Sequence, residues 1–84
     1  MPAVKMMKFR LFTNDREDLA GVPMYSCLKE VHAKSRDEAL TKVPKQFDAP
    51  TFAPAVAVRW PESEQDDDEK AWLRKHVGSE WRSI

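Results

Sequence analysis

A short helix that is closed at both ends constrains the fold more than any other feature of this sequence. Ser35-Arg36-Asp37-Glu38 has the form of a capping box, in which a serine side chain and a glutamate three residues later each satisfy a backbone N–H group. Apolar residues follow at helical spacing, and Pro44 disfavours a helical conformation in the residue before it. We predict a helix over residues 36–43, and an extension to Phe47 with a kink stays open.

The segments on either side of this helix alternate between apolar and polar residues, as half-buried strands do. We predict strands over residues 4–12, 24–33 and 55–60. One face of the first strand is apolar, and the other carries basic residues together with Phe12. The first two strands are expected to pair antiparallel through an exposed loop at residues 13–22.

A second helix is predicted within residues 64–77. Ser63 is its expected N-cap, acidic residues fill its first turns, and basic residues fill its last turn. This charge order complements the helix dipole at both ends. Gly78 is well placed to end the helix.

The order of elements is therefore β-β-α-β-α in one small domain spanning residues 1–84. It predicts the α+β class: a small three-stranded sheet with two helices, both on one face. The strand–helix–strand unit from Val31 to Trp60 fits a parallel crossover, which is right-handed as a rule. The order of strands in the sheet stays open.

Size and composition favour binding over catalysis. The chain has 84 residues, of which 42% are hydrophobic and 33% are charged. This balance suits a folded domain, but a core of this size leaves little room for a deep catalytic cleft. We find no apolar stretch near the roughly 20 residues that cross a bilayer. A single cysteine and two glycines exclude an internal disulfide, a cysteine-rich zinc site and a glycine-rich phosphate loop.

The residues that could carry chemistry lack the spacing that chemistry needs. Cys27 and His32 are five residues apart on a predicted strand, which places them on opposite faces unless a bulge intervenes. Asp68 and His76 do not form a metal-binding pattern. We therefore expect no catalytic, cofactor-binding or metal-binding residues, no cofactor and no enzymatic activity.

Charge is distributed unevenly along the chain, although the formal net charge is +0. The excess of acid lies after residue 60, and it is concentrated in one group. We predict that this group and two tryptophans that could anchor an interface bind a partner. The predicted partner-binding residues are Glu62, Glu64, Asp66, Asp67, Asp68, Glu69, Trp60 and Trp81. Trp60 and Trp81 could equally pack together and close the core.

An alternative function depends on the basic residues, which lie before residue 60. It makes the chain a small nucleic-acid-binding module, and it would require the basic residues to converge on one face. Those residues are Lys5, Lys8, Arg10, Lys34, Arg36, Lys42 and Lys45. Because the chain has no net basic charge, we do not expect direct binding of nucleic acid.

Two patterns resemble small phage or prophage accessory proteins of the anti-CRISPR and anti-defence kind. One is Val31-x-Ala33-x-Ser35-x-x-Glu38-Ala39 followed by Val56-x-Val58. The other is the ending Trp72-Leu73-x-x-His76-Val77-Gly78-x-x-Trp81. The likeness lies in length, element order and an acidic patch, and it transfers no functional residues.

This resemblance implies a non-enzymatic inhibitor that binds its target stoichiometrically in the cytoplasm of a bacterial host. The expected partner is a host protein or ribonucleoprotein complex with a basic surface, since carboxylates can compete for a surface that holds nucleic acid. A phage structural or assembly component is a further alternative. A homodimer stays open, and a membrane partner is not expected.

Overall fold

A three-stranded antiparallel sheet forms the centre of the protein. The computed structural model describes residues 5–45 and 54–83. Its elements in chain order are β1 (Met7–Glu17), β2 (Pro23–Ala33), α1 (Arg36–Leu40), β3 (Val56–Arg59) and α2 (Asp67–His76), with 3₁₀ turns at Glu62–Glu64 and Trp81–Ser83. The predicted α+β class and the order β-β-α-β-α are confirmed.

The sheet has the order β2-β1-β3, with β1 antiparallel to both neighbours. β2 and β3 therefore run parallel to each other although they do not touch, and the connection that contains α1 passes across β1. The parallel relation expected between the second and third strands is present, with another strand between them.

The two helices cover opposite faces of the sheet, and the prediction that both lie on one face is wrong. Leu11 and Phe12 are adjacent in β1, so their side chains point to opposite faces, and both are 0% exposed. Leu11 packs in a cluster with Ala39 of α1, whereas Phe12 packs in a second cluster with Leu73 of α2. Phe12 shares its face with the basic residues, as predicted, but that face is covered by α2 because the central strand is buried on both sides.

The hairpin between β1 and β2 is much longer than its hydrophobic pattern indicates. β1 continues to Glu17, so the first half of the loop predicted at residues 13–22 is strand. The Asp18 side chain accepts hydrogen bonds from Ala20 N and Val22 N, at 2.8 and 2.9 Å, and Gly21 has a φ of 81°. The carboxylate and the glycine together shape a compact turn, because a positive φ is easily reached only by glycine.

Polar side chains hold the outer part of this hairpin together. Asn14 Nδ2 donates to the carbonyl of Met24 across the strands at 2.8 Å. Arg16 bonds both Asp15 and Ser26 through Nη1, at 2.8 and 2.9 Å. Because polar bonds rather than apolar packing stabilise this part of the strand pair, its sequence lacks the apolar periodicity that predicts a strand.

An extra residue interrupts the pairing of β2 with β1. Leu11 lies opposite Lys29 and Phe12 lies opposite Cys27, so Leu28 has no partner and forms a bulge. The side chain of Leu28 packs, partly buried, against the cluster on the α1 face. The bulge changes which side chains of β2 share a face, with a consequence for Cys27 described below.

α1 begins where the sequence predicts but ends earlier, at Leu40. Ser35 Oγ accepts a hydrogen bond from Glu38 N at 3.1 Å, as expected for an N-cap. The Glu38 carboxylate accepts from Lys34 N at 3.0 Å, one residue before the expected partner. Val43 is still buried, at 7% exposure, although it follows the helix. The suggested extension to Phe47 lies outside the described residues.

Replacing the serine cap should destabilise the fold measurably. Ser35→Ala leaves Glu38 N without its partner, and we expect a loss of about 1 kcal/mol in the free energy of unfolding. Urea denaturation followed by circular dichroism measures this loss. Ser79→Ala, at an exposed serine outside the helices, is the matched control and should leave the midpoint unchanged. Coincident midpoints for the two variants would contradict the cap.

Candidate partner-binding surface

The start of α2 gathers the acidic residues that the sequence singles out. Asp66 is the N-cap: its Oδ1 accepts from Glu69 N at 2.8 Å, and Glu69 Oε1 accepts from Asp66 N at 3.5 Å. The helix therefore begins at Asp67, and the prediction of Ser63 as N-cap is wrong. Asp66-x-x-Glu69 is itself a capping box, and a carboxylate cap adds favourable charge at the positive end of the helix dipole.

The end of α2 is the predicted one. Val77 N and Gly78 N both donate to the carbonyl of Leu73, at 2.8 and 3.0 Å, and Gly78 has a φ of 118°. Glycine reaches this conformation without strain, so it closes the helix.

Three of the six acids are neutralised by arginines of the same chain. Glu62 pairs with Arg82 at 2.8 Å, Glu64 pairs with Arg59 at 3.1 Å, and Glu69 pairs with Arg36 at 2.9 Å. Within residues 5–45 and 54–83, the aspartates 66–68 form no ion pair. Asp67 and Asp68 are exposed, so they carry the uncompensated negative charge of this surface.

Glu69 is the structural centre of the site. Its side chain is only 10% exposed, and Oε2 accepts from Arg59 N at 2.8 Å and from Arg36 Nη2 at 2.9 Å. Trp60 N donates to the carbonyl of Lys8 in β1, so the backbone groups of Arg59 point away from the sheet, toward α2. Gln65 Nε2 donates to the Arg59 carbonyl at 2.7 Å. Side chains before and within α2 thereby satisfy the outward-facing backbone groups of Arg59 on the free edge of β3.

A groove of about 260 Å³ opens beside this junction, between the start of α2, the start of α1 and β3. Apolar residues and carboxylates line it together: Val56, Ala57, Val58 and Trp72, with Asp66, Asp68, Glu69 and Arg36. Asp67, the neighbour of Asp68, does not line it. No local pattern in the sequence predicts this groove, because its lining comes from three separate elements.

The two tryptophans proposed as anchors differ in burial. Trp81 is 2% exposed and belongs to the core on the α2 face. Trp60 packs edge-on against it, with ring centroids 5.8 Å apart at 82°, and the Arg10 guanidinium lies 4.2 Å from the Trp60 ring centroid. The two tryptophans therefore pack together, as the alternative states, and Trp60 keeps partly accessible surface.

Four of the seven basic residues of the alternative function do not converge on one face. Lys8 and Arg10 project from β1 on the α2 face, and both pair with Glu30, at 3.9 and 3.2 Å. Arg36 begins α1 on the opposite face and is bound to Glu69, while Lys42 Nζ donates to the carbonyl of His32 at 2.8 Å. These groups are divided between the two faces and engaged within the chain.

Cys27 and His32 share a face but cannot form a catalytic pair. The bulge at Leu28 brings them to the same side, opposite Phe12 and Lys8 of β1. Four residues of strand still separate those two positions, which is roughly 13 Å and far beyond hydrogen-bond reach. Desolvation raises the pKa of the Cys27 thiol; the nearby Arg10 charge lowers it and Glu30 raises it, with a net upward shift.

His76 is held by packing at the far end of α2. Its Nδ1 lies 2.7 Å from the Pro23 carbonyl oxygen, and its ring lies 5.2 Å from that of Trp72 and 5.8 Å from that of Tyr25. In the part of the chain that the structure describes, no three histidine, cysteine or acidic side chains are grouped so that they could hold a metal ion.

Comparison of the chain with protein-family models, with curated proteins and with solved structures finds no match. Among the described residues, no helix is both long and apolar enough to span a membrane. A functional conclusion therefore rests on the arrangement of charge and shape around α2.

Neutralising Glu69 should destabilise the protein far more than neutralising an exposed neighbour. Glu69→Gln weakens the bonds to Arg36 and to Arg59 N, and we expect a loss of about 2 kcal/mol in the free energy of unfolding. Asp67→Asn removes the same charge at an exposed position and should change stability by less than about 1 kcal/mol. Chemical denaturation of both variants measures the difference. Equal losses would show that Glu69 acts only through the helix dipole.

Cys27 should react slowly with alkylating reagents even though the residue is exposed. Because its pKa is raised, less thiolate is present at a given pH, and the thiolate is the reactive form. We expect the rate of iodoacetamide labelling to rise at a higher pH in the folded protein than in the same protein unfolded in urea. A folded-state profile at equal or lower pH would contradict the raised pKa.

Proposed function

We propose that this chain is a non-enzymatic binding protein that occupies a basic, nucleic-acid-binding surface of a host complex through the start of α2. The observation that carries the proposal is the contrast between the acids of this segment. Three glutamates are neutralised by arginines within the fold, whereas Asp67 and Asp68 stay exposed without an ion pair among the described residues.

Placing three aspartates in succession at one helix start concentrates negative potential. The capping box fixes the direction of α2, and the Glu69 junction fixes its position against β3. Because the helix that carries these charges is held in place, its backbone loses little freedom on binding. Such an acidic surface raises the rate at which a Lys- and Arg-lined partner is encountered.

The resemblance to phage accessory proteins directs the proposal to one class of partner. Complexes that handle nucleic acid present basic channels, and a protein of this size with an acidic surface can obstruct such a channel without chemistry. The proposed target is a host defence or nucleic-acid-handling complex in the bacterial cytoplasm, inhibited by stoichiometric occupation as in anti-CRISPR proteins. The separation of Cys27 from His32 supports a mechanism without nucleophilic catalysis.

The first experiment identifies the partner. The tagged protein is used to capture complexes from a bacterial lysate, with and without nuclease treatment, and bound proteins are identified by mass spectrometry. We expect a protein or ribonucleoprotein complex with a basic channel to be retained after nuclease treatment. Capture that depends wholly on nucleic acid would favour the basic module, and recovery of the chain alone as a symmetric oligomer would favour an assembly component.

The second experiment tests the surface with the captured complex. Asp67→Asn combined with Asp68→Asn should slow association roughly tenfold at low salt, because charges at a rim act mainly on the on-rate. The difference should shrink as salt rises, since the Debye length is about 8 Å at physiological ionic strength. Surface plasmon resonance over a salt series measures both.

The matched control removes the same charge elsewhere. Glu17→Gln with Glu80→Gln neutralises two exposed acids, one beside the hairpin turn and one beyond the C-terminal end of α2. We expect it to change the on-rate much less than the aspartate pair does. An unchanged on-rate at low salt for the folded aspartate variant would remove this surface from the proposal.

A further inference from the structure

The groove beside α2 has a composition that suits one kind of side chain. Its lining includes Val56, Val58 and Trp72, which offer apolar contact to a long aliphatic stem. Contacts of the Trp72 ring with Tyr25 and Phe12, at centroid distances of 5.0 and 5.9 Å, hold its orientation. The groove is therefore an apolar slot with fixed walls.

Its rim is negative. Asp66, Asp68 and Glu69 contribute three carboxylates, against the single guanidinium of Arg36. Asp66 uses Oδ1 for the helix cap, and Asp68 forms no ion pair within the described ranges. An apolar slot with an acidic rim complements a side chain that has an apolar stem and a cationic head.

Two arginines of this chain make the kinds of contact that such a cationic side chain would make. Arg36 reaches Glu69 at the groove with Nη2 2.9 Å from Oε2, while its side chain stays about half exposed. On the sheet, the Arg10 guanidinium lies over Trp60 at 4.2 Å. A guanidinium group is better suited than an ammonium group to pairing with carboxylates and to contact with aromatic rings.

We propose that this groove receives an arginine side chain of the partner, with the stem against Val56 and Trp72 and the guanidinium at Asp68. The inference rests on the proposed function and deepens it, because it names the anchoring group within a basic surface. Asp67 then contributes only to long-range attraction, whereas Asp68 makes a direct contact.

The test uses hexa-arginine peptide as the probe and nuclear magnetic resonance as the readout. We expect saturable shifts of the Trp72 indole N–H and the Val58 amide, and much smaller shifts with hexa-citrulline, which keeps the shape and lacks the charge. Asp68→Asn should raise the dissociation constant roughly fivefold, the change expected for one exposed charge pair. Asp67→Asn, the matched control, should raise it less than twofold.

The outcomes separate this inference from the proposed function. Equal weakening by Asp67→Asn and Asp68→Asn, with shifts spread over the acidic segment, would overturn the groove and leave the acidic surface intact. Tighter binding of hexa-lysine than of hexa-arginine would overturn the choice of arginine. The absence of any saturable shift with hexa-arginine would overturn the groove, and slower association of the aspartate pair with the captured complex would then still support the surface.

Discussion

The arrangement of both helices depends on the hydrogen bonds and the ion pair that the Glu69 carboxylate accepts. One side chain caps its own helix, accepts the backbone N–H of an edge strand and binds an arginine of the other helix. A carboxylate removed from water is unfavourable unless its oxygens are satisfied, and here three donors satisfy them. Helix, strand and helix are thereby fixed relative to one another at a single point.

Covering both faces of a three-stranded sheet is a demanding solution for so short a chain. Small domains bury a smaller fraction of their surface than large ones, so each core must be built from few residues. Aromatic rings dominate the α2 face, where Phe12, Trp72 and Trp81 pack with Tyr25. The α1 face is mainly aliphatic and contains one buried ring, that of Phe9. The aromatic content of the chain follows from this division, and it explains why Trp81 is buried in the core.

Local signals predicted the elements well, and long-range contacts account for the differences. Ser35, Gly78 and the alternating segments act through neighbours in sequence, so their roles could be inferred from it. The opposite placement of the helices depends on Phe12, whose burial requires an element some sixty residues later. The acidic segment of the candidate site could be predicted from the sequence. The division into neutralised and unpaired acids, and the groove, required Arg36 and Arg59 to be placed in space.

The bulge at Leu28 protects the outer edge of the sheet. β2 is an edge strand of 11 residues, long enough to serve as a template for strands of other molecules. An unpaired residue in its middle breaks the edge into two short stretches that differ in register, and the charged pair Lys29 and Glu30 follows immediately. Lys42 also occupies the carbonyl of His32 near the end of the strand. Edge-to-edge pairing with strands of other molecules is thus discouraged by geometry.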